Sequence, residues 1–191
     1  MEAFLRTFLP RLLPVDRTFH VHPFQGKSDL LSKLEDRLRA YATWLPQDWR
    51  IVVVVDRDDD DCLALKSRLE QIAGRAHLIT KSKARGQSWQ IVNRIAIEEL
   101  EAWYFGDWAA VQSAYQRLPT NIARKKGFRD PDAIAGGTWE AFERILQKHG
   151  YFKGGLSKIE VARTLGALIE PSRCESASFA SFREGVSAAL A

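Results

Sequence analysis

The sequence predicts an α/β fold: a mostly parallel sheet flanked by helices over residues 1–110, followed by an α-helical C-terminal lobe over residues 111–191. Ile51-Val52-Val53-Val54-Val55 is an unbroken β-branched run, the pattern of a central strand buried on both faces beneath helices. Strand and helix signals alternate on either side of it, as they do in sheets whose strands run parallel. From Trp108 onward strand signals cease, and only helical spacing remains.

Phe4, Leu5, Phe8, Leu9, Leu12 and Leu13 recur at helical spacing and predict an opening amphipathic helix. Thr18 to Phe24 alternates Phe19 and Val21 against His20 and His22, a strand pattern in which the two histidines, with no third ligand nearby, take a structural role. Gln25-Gly26-Lys27-Ser28 turns the chain into a helix from about Asp29 to Trp44, with Leu30, Leu31, Leu34 and Leu38 on its apolar stripe and Pro46 beyond its end. Past the central strand, Leu63, Leu65, Leu69 and Ile72 predict a helix closing at Gly74, and Ala76 to Thr80 a short strand. Trp89 to Ile97 is ambiguous: Trp89, Ile91, Ile95 and Ile97 fit a strand broken at Asn93, Ile91, Val92, Ile95 and Ala96 fit a helix, and a strand turning into a helix near Glu98 is preferred. Ala109–Leu118, Thr138–Lys148, Ser157–Ile169 and Phe179–Leu190 read as helices parted by proline and glycine.

The central strand runs into Asp56-Arg57-Asp58-Asp59-Asp60-Asp61, five carboxylates in six positions with one cation among them. Ligands of open α/β sheets bind beyond the carboxyl ends of strands, so Asp56 and Asp58 stand where chemistry is usually done. Carboxylates this dense repel one another unless a cation screens them, and Asp56, Asp58 and Asp60 suit a hard, oxygen-seeking ion such as Mg²⁺ or Mn²⁺. The alternative is that Asp60 or Asp61 caps the next helix, which accounts for one or two acids only. The following acidic group, Glu98-Glu99-Leu100-Glu101, would set Glu98 and Glu101 on one side of a helix, from where a carboxylate joins the ion's shell. An EF-hand is excluded because Asp61 and Ser67 stand where its loop needs Gly and Glu. A Walker A loop at Gly26-Lys27-Ser28 is excluded because Val21 replaces its first glycine.

A net charge of +4 and a pI near 9.2, despite the acidic loop, place positive charge elsewhere. Lys27, the loop Lys81-Ser82-Lys83-Ala84-Arg85 and the segment Arg124-Lys125-Lys126-Gly127-Phe128-Arg129 are the candidate phosphate contacts; the two segments are otherwise solvated loops, and the second, with Phe128 amid four cations, is the better nucleic-acid candidate. Lys153-Gly154-Gly155-Leu156-Ser157-Lys158 is either a further contact or a solvated turn. Cys62 and Cys174 supply no disulfide framework, which fits a reducing cytoplasm. No apolar run approaches the roughly 20 residues that span a bilayer, so no membrane partner is expected.

Phe24-Gln25-Gly26-Lys27-Ser28-Asp29-Leu30, the segment Val54 to Cys62 with Leu65-Lys66, and Asn93 to Tyr104 together resemble a Toprim-related bacterial family often encoded beside AAA-type ATPases. The resemblance spans the first 110 or so positions. It implies a Toprim-like sheet and Mg²⁺ or Mn²⁺ held by Asp56 and Asp58, with Asp60, Glu98 and Glu101 in support. Asp56, Asp58 and Glu101 would be the catalytic residues, acting on the phosphodiesters of DNA in preference to RNA. It further implies an ATPase partner and a role in genome defence, and leaves self-association open. A Toprim first strand ends in a Glu that has no counterpart ahead of Met1, although Glu2 matches a second acid of the helix that follows. The expectation is therefore double: either the natural start lies upstream, or the chain is an inactive adaptor that binds without cutting. A haloacid-dehalogenase-like phosphatase ranks below both, because its pattern wants Thr or Val where Asp60 stands.

Overall fold

The computed structural model describes residues 1–155 and 157–191; Leu156, within the basic segment Lys153–Lys158, lies outside the described residues. Among the described residues the chain forms α1 (Glu2–Leu12), α2 (Lys27–Trp44), β1 (Ile51–Asp56), α3 (Cys62–Arg75), β2 (Ile91–Ala96), α4 (Glu101–Gly106), α5 (Trp108–Ala114), α6 (Thr138–Lys148), α7 (Lys158–Leu168) and α8 (Ala177–Leu190). The fold is thus mixed α/β, with a small parallel sheet. Two compact units divide the chain: Met1–Pro23 with Ile97–Ala180, and Phe24–Ala96 with Ser181–Ala191.

The unit built on Phe24–Ala96 carries the sheet. β1 and β2 pair in parallel from Ile51↔Ile91 to Asp56↔Ala96, with α3 as the crossover between them. Leu30, Leu34 and Leu38 of α2, Val53 and Val55 of β1, and Leu65, Leu69 and Ile72 of α3 bury one apolar core. At about 25 cal/mol for each Å² removed from water, each such side chain contributes on the order of 2 kcal/mol, which is what holds a two-stranded ladder that would be marginal alone. Val53 and Val55 are buried while Val52 and Val54 are half-buried, so β1 alternates and is not the central, doubly covered strand its composition predicts.

The predicted sheet shrinks for a definite reason. Thr18–Phe24 forms no strand: Phe19 and Val21 are half-buried and His20 and His22 exposed, so the segment has no apolar face to lay against a neighbour. Ala76–Thr80 supplies one isolated bridge, Thr80 to Ile91, because His77 within the segment turns through φ +60° and breaks the extended run.

The other unit is organised around aromatic rings. Phe4 and Phe8 of α1 stack at 5.2 Å, Phe4 meets Trp103 edge-on at 5.5 Å, and Trp103 meets Phe179 edge-on at 5.3 Å. Trp103 is fully buried and its indole N–H donates to Ser178 Oγ at 3.0 Å, so its polar edge is satisfied inside the core. α1 packs closely on α7 because Gly166 removes a side chain at the crossing: a Cβ there would meet Thr7 Oγ1 at 2.2 Å and the Phe4 carbonyl at 2.6 Å. No helix is long and apolar enough to cross a membrane among the described residues.

Candidate functional site

The parallel pair ends at Asp56 and Ala96, and one more ladder bond, Arg57 N–H to the Ala96 carbonyl at 2.8 Å, carries the chain straight into the acidic loop. Asp58 adopts φ +48°, a left-handed conformation that Asp tolerates better than most side chains. The Asp60 N–H donates to the Arg57 carbonyl at 3.2 Å and closes the turn. The loop then ends on a cap: Asp61 Oδ1 accepts from Ala64 N at 2.7 Å and starts α3. One of the five carboxylates is therefore committed to helix capping, as the simpler reading of the sequence allowed.

Two others hold a lysine. Lys27 Nζ lies 2.9 Å from Asp58 Oδ2 and 2.8 Å from Asp60 Oδ2, and donates to the Arg57 carbonyl at 2.7 Å. The side chains of Asp58 and Asp60 are about half exposed, whereas that of Lys27 is 18% exposed, so the ammonium sits beneath the acids. Burial alone would lower the Lys27 pKa. Its hydrogen bonds to Asp60 and Asp58 and their negative charges outweigh that effect and raise it above the ordinary lysine value. Lys27 begins α2 after Gly26, whose φ of +86° only glycine adopts at little cost. The residue expected to meet phosphate thus meets the acidic loop of its own unit.

Asp56 is half-buried at the strand tip. Glu98 and Glu101 belong to the other unit. They do not share a helix face as expected: Glu98 precedes α4 with φ +60°, and only Glu101, buried in the first turn, is helical. Between them Glu99 takes an unforeseen role, accepting from Trp139 N at 3.0 Å and Thr138 Oγ1 at 3.2 Å. It caps α6, whose own N-cap Gly137 has no side chain to do so. Among the described residues, no group of three or more His, Cys, Asp or Glu side chains is arranged to hold a metal ion.

The basic segments are exposed. Lys81 and Lys83 flank Ser82 in a single 3₁₀ turn, and Arg85 follows at φ +45°. Beneath them lies a polar cluster that no motif announced. Glu70 of α3 is 8% exposed; it accepts from Ser82 Oγ at 2.6 Å and Asn93 Nδ2 at 3.0 Å, with Lys66 Nζ 3.3 Å away. Burial pushes its pKa up, but hydrogen bonds from Ser82, Thr80 and Asn93 and the Lys66 charge overcome this and bring it down to about 2. Burial lowers the pKa of Lys66, which donates to the Asn93 carbonyl at 2.6 Å. The available signal was Asn93 itself, a polar residue interrupting the apolar run of β2. In the other unit, Arg124, Lys125, Lys126 and Arg129 are exposed, but Phe128 stacks on Phe105 at 5.5 Å and its ring is part of the packing.

Fold and site together define an α/β protein whose parallel strand pair ends in an acidic loop, two carboxylates of which hold a lysine from the preceding helix. The chain belongs to the family described as Domain of unknown function (DUF4276), whose model matches residues 1–187. No curated protein and no solved structure matches it.

Proposed function

We propose that this chain is a Mg²⁺- or Mn²⁺-dependent phosphodiesterase of the Toprim type acting on nucleic acid, with Asp56, Asp58 and Asp60 as its cation-facing carboxylates. The observation that carries the reading is convergence: Asp58 Oδ2, Asp60 Oδ2 and the Arg57 carbonyl all point at one positive centre, the Lys27 ammonium. That donor set is all oxygen and mostly anionic, which fits a hard divalent ion. A bound ion of this kind polarises a phosphate oxygen and lowers the pKa of a water. The chain's own part is positional. β1 and the Arg57–Asp60 turn fix the carboxylates, and the exposed Lys81, Lys83 and Arg85, in the same unit, supply cations that draw a phosphate backbone.

The test is cleavage of DNA and RNA by the purified chain with Mg²⁺ or Mn²⁺. Activity that disappears in Asp56→Ala and Asp58→Ala supports the assignment, and activity unchanged in both defeats it. A second reading, a binding or adaptor module for an AAA-type ATPase, is favoured by the same lysine, because an ammonium already occupies Asp58 and Asp60. Co-purification with such an ATPase, without metal-dependent cleavage, would select it. A place in genome defence rests on the family resemblance alone.

A further inference from the structure

An ammonium has three protons to donate, and Lys27 has three acceptors within 2.7–2.9 Å: two carboxylates and one carbonyl. Its side chain is 18% exposed and enters from α2, an element separate from the loop whose Asp58 and Asp60 it pairs with. Asp58 and Asp60 are therefore already paired with a cation that the chain itself provides. A divalent ion bound by the same oxygens would lie within a few ångström of that ammonium, where like charges repel strongly.

We infer that Lys27 is a resident counter-ion of the acidic loop, and that a divalent cation seats on Asp58 and Asp60 only as the Lys27 ammonium leaves them. The inference rests on the proposed role of these carboxylates and adds a control element to it. Lys27 competes with the metal, and the metal-free loop keeps its shape because the lysine holds it.

Calorimetric titration of the full chain with Mn²⁺ tests this directly, comparing wild type, Lys27→Met, and Lys27→Met combined with Asp58→Asn. The expected result is Mn²⁺ affinity at least tenfold higher in Lys27→Met than in wild type, with the gain abolished when Asp58 is also changed. Equal or weaker binding by Lys27→Met overturns the inference, while uptake by Lys27→Met that is lost in the double variant would leave the metal reading of the site standing. No Mn²⁺ uptake by any of the three proteins overturns both. A measurement on the unaltered chain guards against misfolding of the variant: the ¹⁵Nζ resonance of Lys27 should move to that of a solvated lysine as Mg²⁺ is added. A resonance that stays fixed while the loop amides shift contradicts displacement.

Discussion

Replacing Glu70 by Gln removes the charge of a buried, hydrogen-bonded carboxylate of the strand-bearing unit, and its cost follows from the structure. The carboxylate accepts from Ser82 Oγ and Asn93 Nδ2 and faces Lys66 Nζ at 3.3 Å. Its pKa is drawn from 4.5 to about 2. At about 1.4 kcal/mol for each pKa step, that corresponds to roughly 3 kcal/mol of stability at neutral pH. The mechanism agrees: the amide cannot match charge-assisted bonds, and Lys66 loses its counter-ion. The sign fixes the pH window. Because the folded carboxyl has the lower pKa, the contribution is full above about 4.5 and is lost as pH falls through about 2. Urea unfolding followed by circular dichroism should show Glu70→Gln less stable by about 3 kcal/mol at pH 7, with the gap closing as the pH drops below about 4.5. A gap under about 0.5 kcal/mol at pH 7, or one that does not change with pH, refutes the reasoning.

Asp107, fully buried, accepts from Arg173 through both oxygens at 2.7 and 2.9 Å and from the Glu170 N–H at 2.9 Å. Asp107→Ala should cost roughly 3 kcal/mol or more by stranding those donors, and a thermal midpoint within a degree of wild type would contradict that. Gly166→Ala drives a methyl into Thr7 and the Phe4 carbonyl and should destabilise by about 1–3 kcal/mol in the same assay; neutrality would mean that α1 and α7 are not so closely packed. If the Lys81–Arg85 loop contacts duplex DNA, changing Lys81, Lys83 and Arg85 together to Ala should flatten the slope of log K against log salt by about 2.7. An unchanged slope would place the phosphate contacts elsewhere.

Local signals carried most of the elements. The β-branched run became β1, and Trp89–Ile97 became a strand running toward a helix, because apolar periodicity is a property of neighbours in sequence. Thr138–Lys148 became α6 at those bounds, between Gly137 and His149. The strand predicted at Thr18–Phe24 failed because alternation needs a partner surface, and Phe19 and Val21 find only half-burial. The site was legible as a cluster of acids and illegible as a geometry. Nothing in the run of residues tells that Lys27 will reach Asp58 and Asp60 about 30 positions on, that Asp61 alone will cap α3, or that Glu99 will cap α6 from 40 positions away. The Lys27 contact is fixed by the packing of α2 and α3 with the strands, and the Glu99 contact by the packing of the other unit, neither of which periodicity encodes.

The central claim, that the carboxylates beyond β1 take up a divalent cation, is tested most directly by adding substoichiometric Mn²⁺ to the ¹⁵N-labelled chain and recording which amides its unpaired electrons broaden. The account predicts that the Arg57–Asp61 amides and that of Lys27 fade first, and that Asp58→Asn with Asp60→Asn abolishes the effect. Broadening centred elsewhere, or undiminished in that double variant, would contradict it.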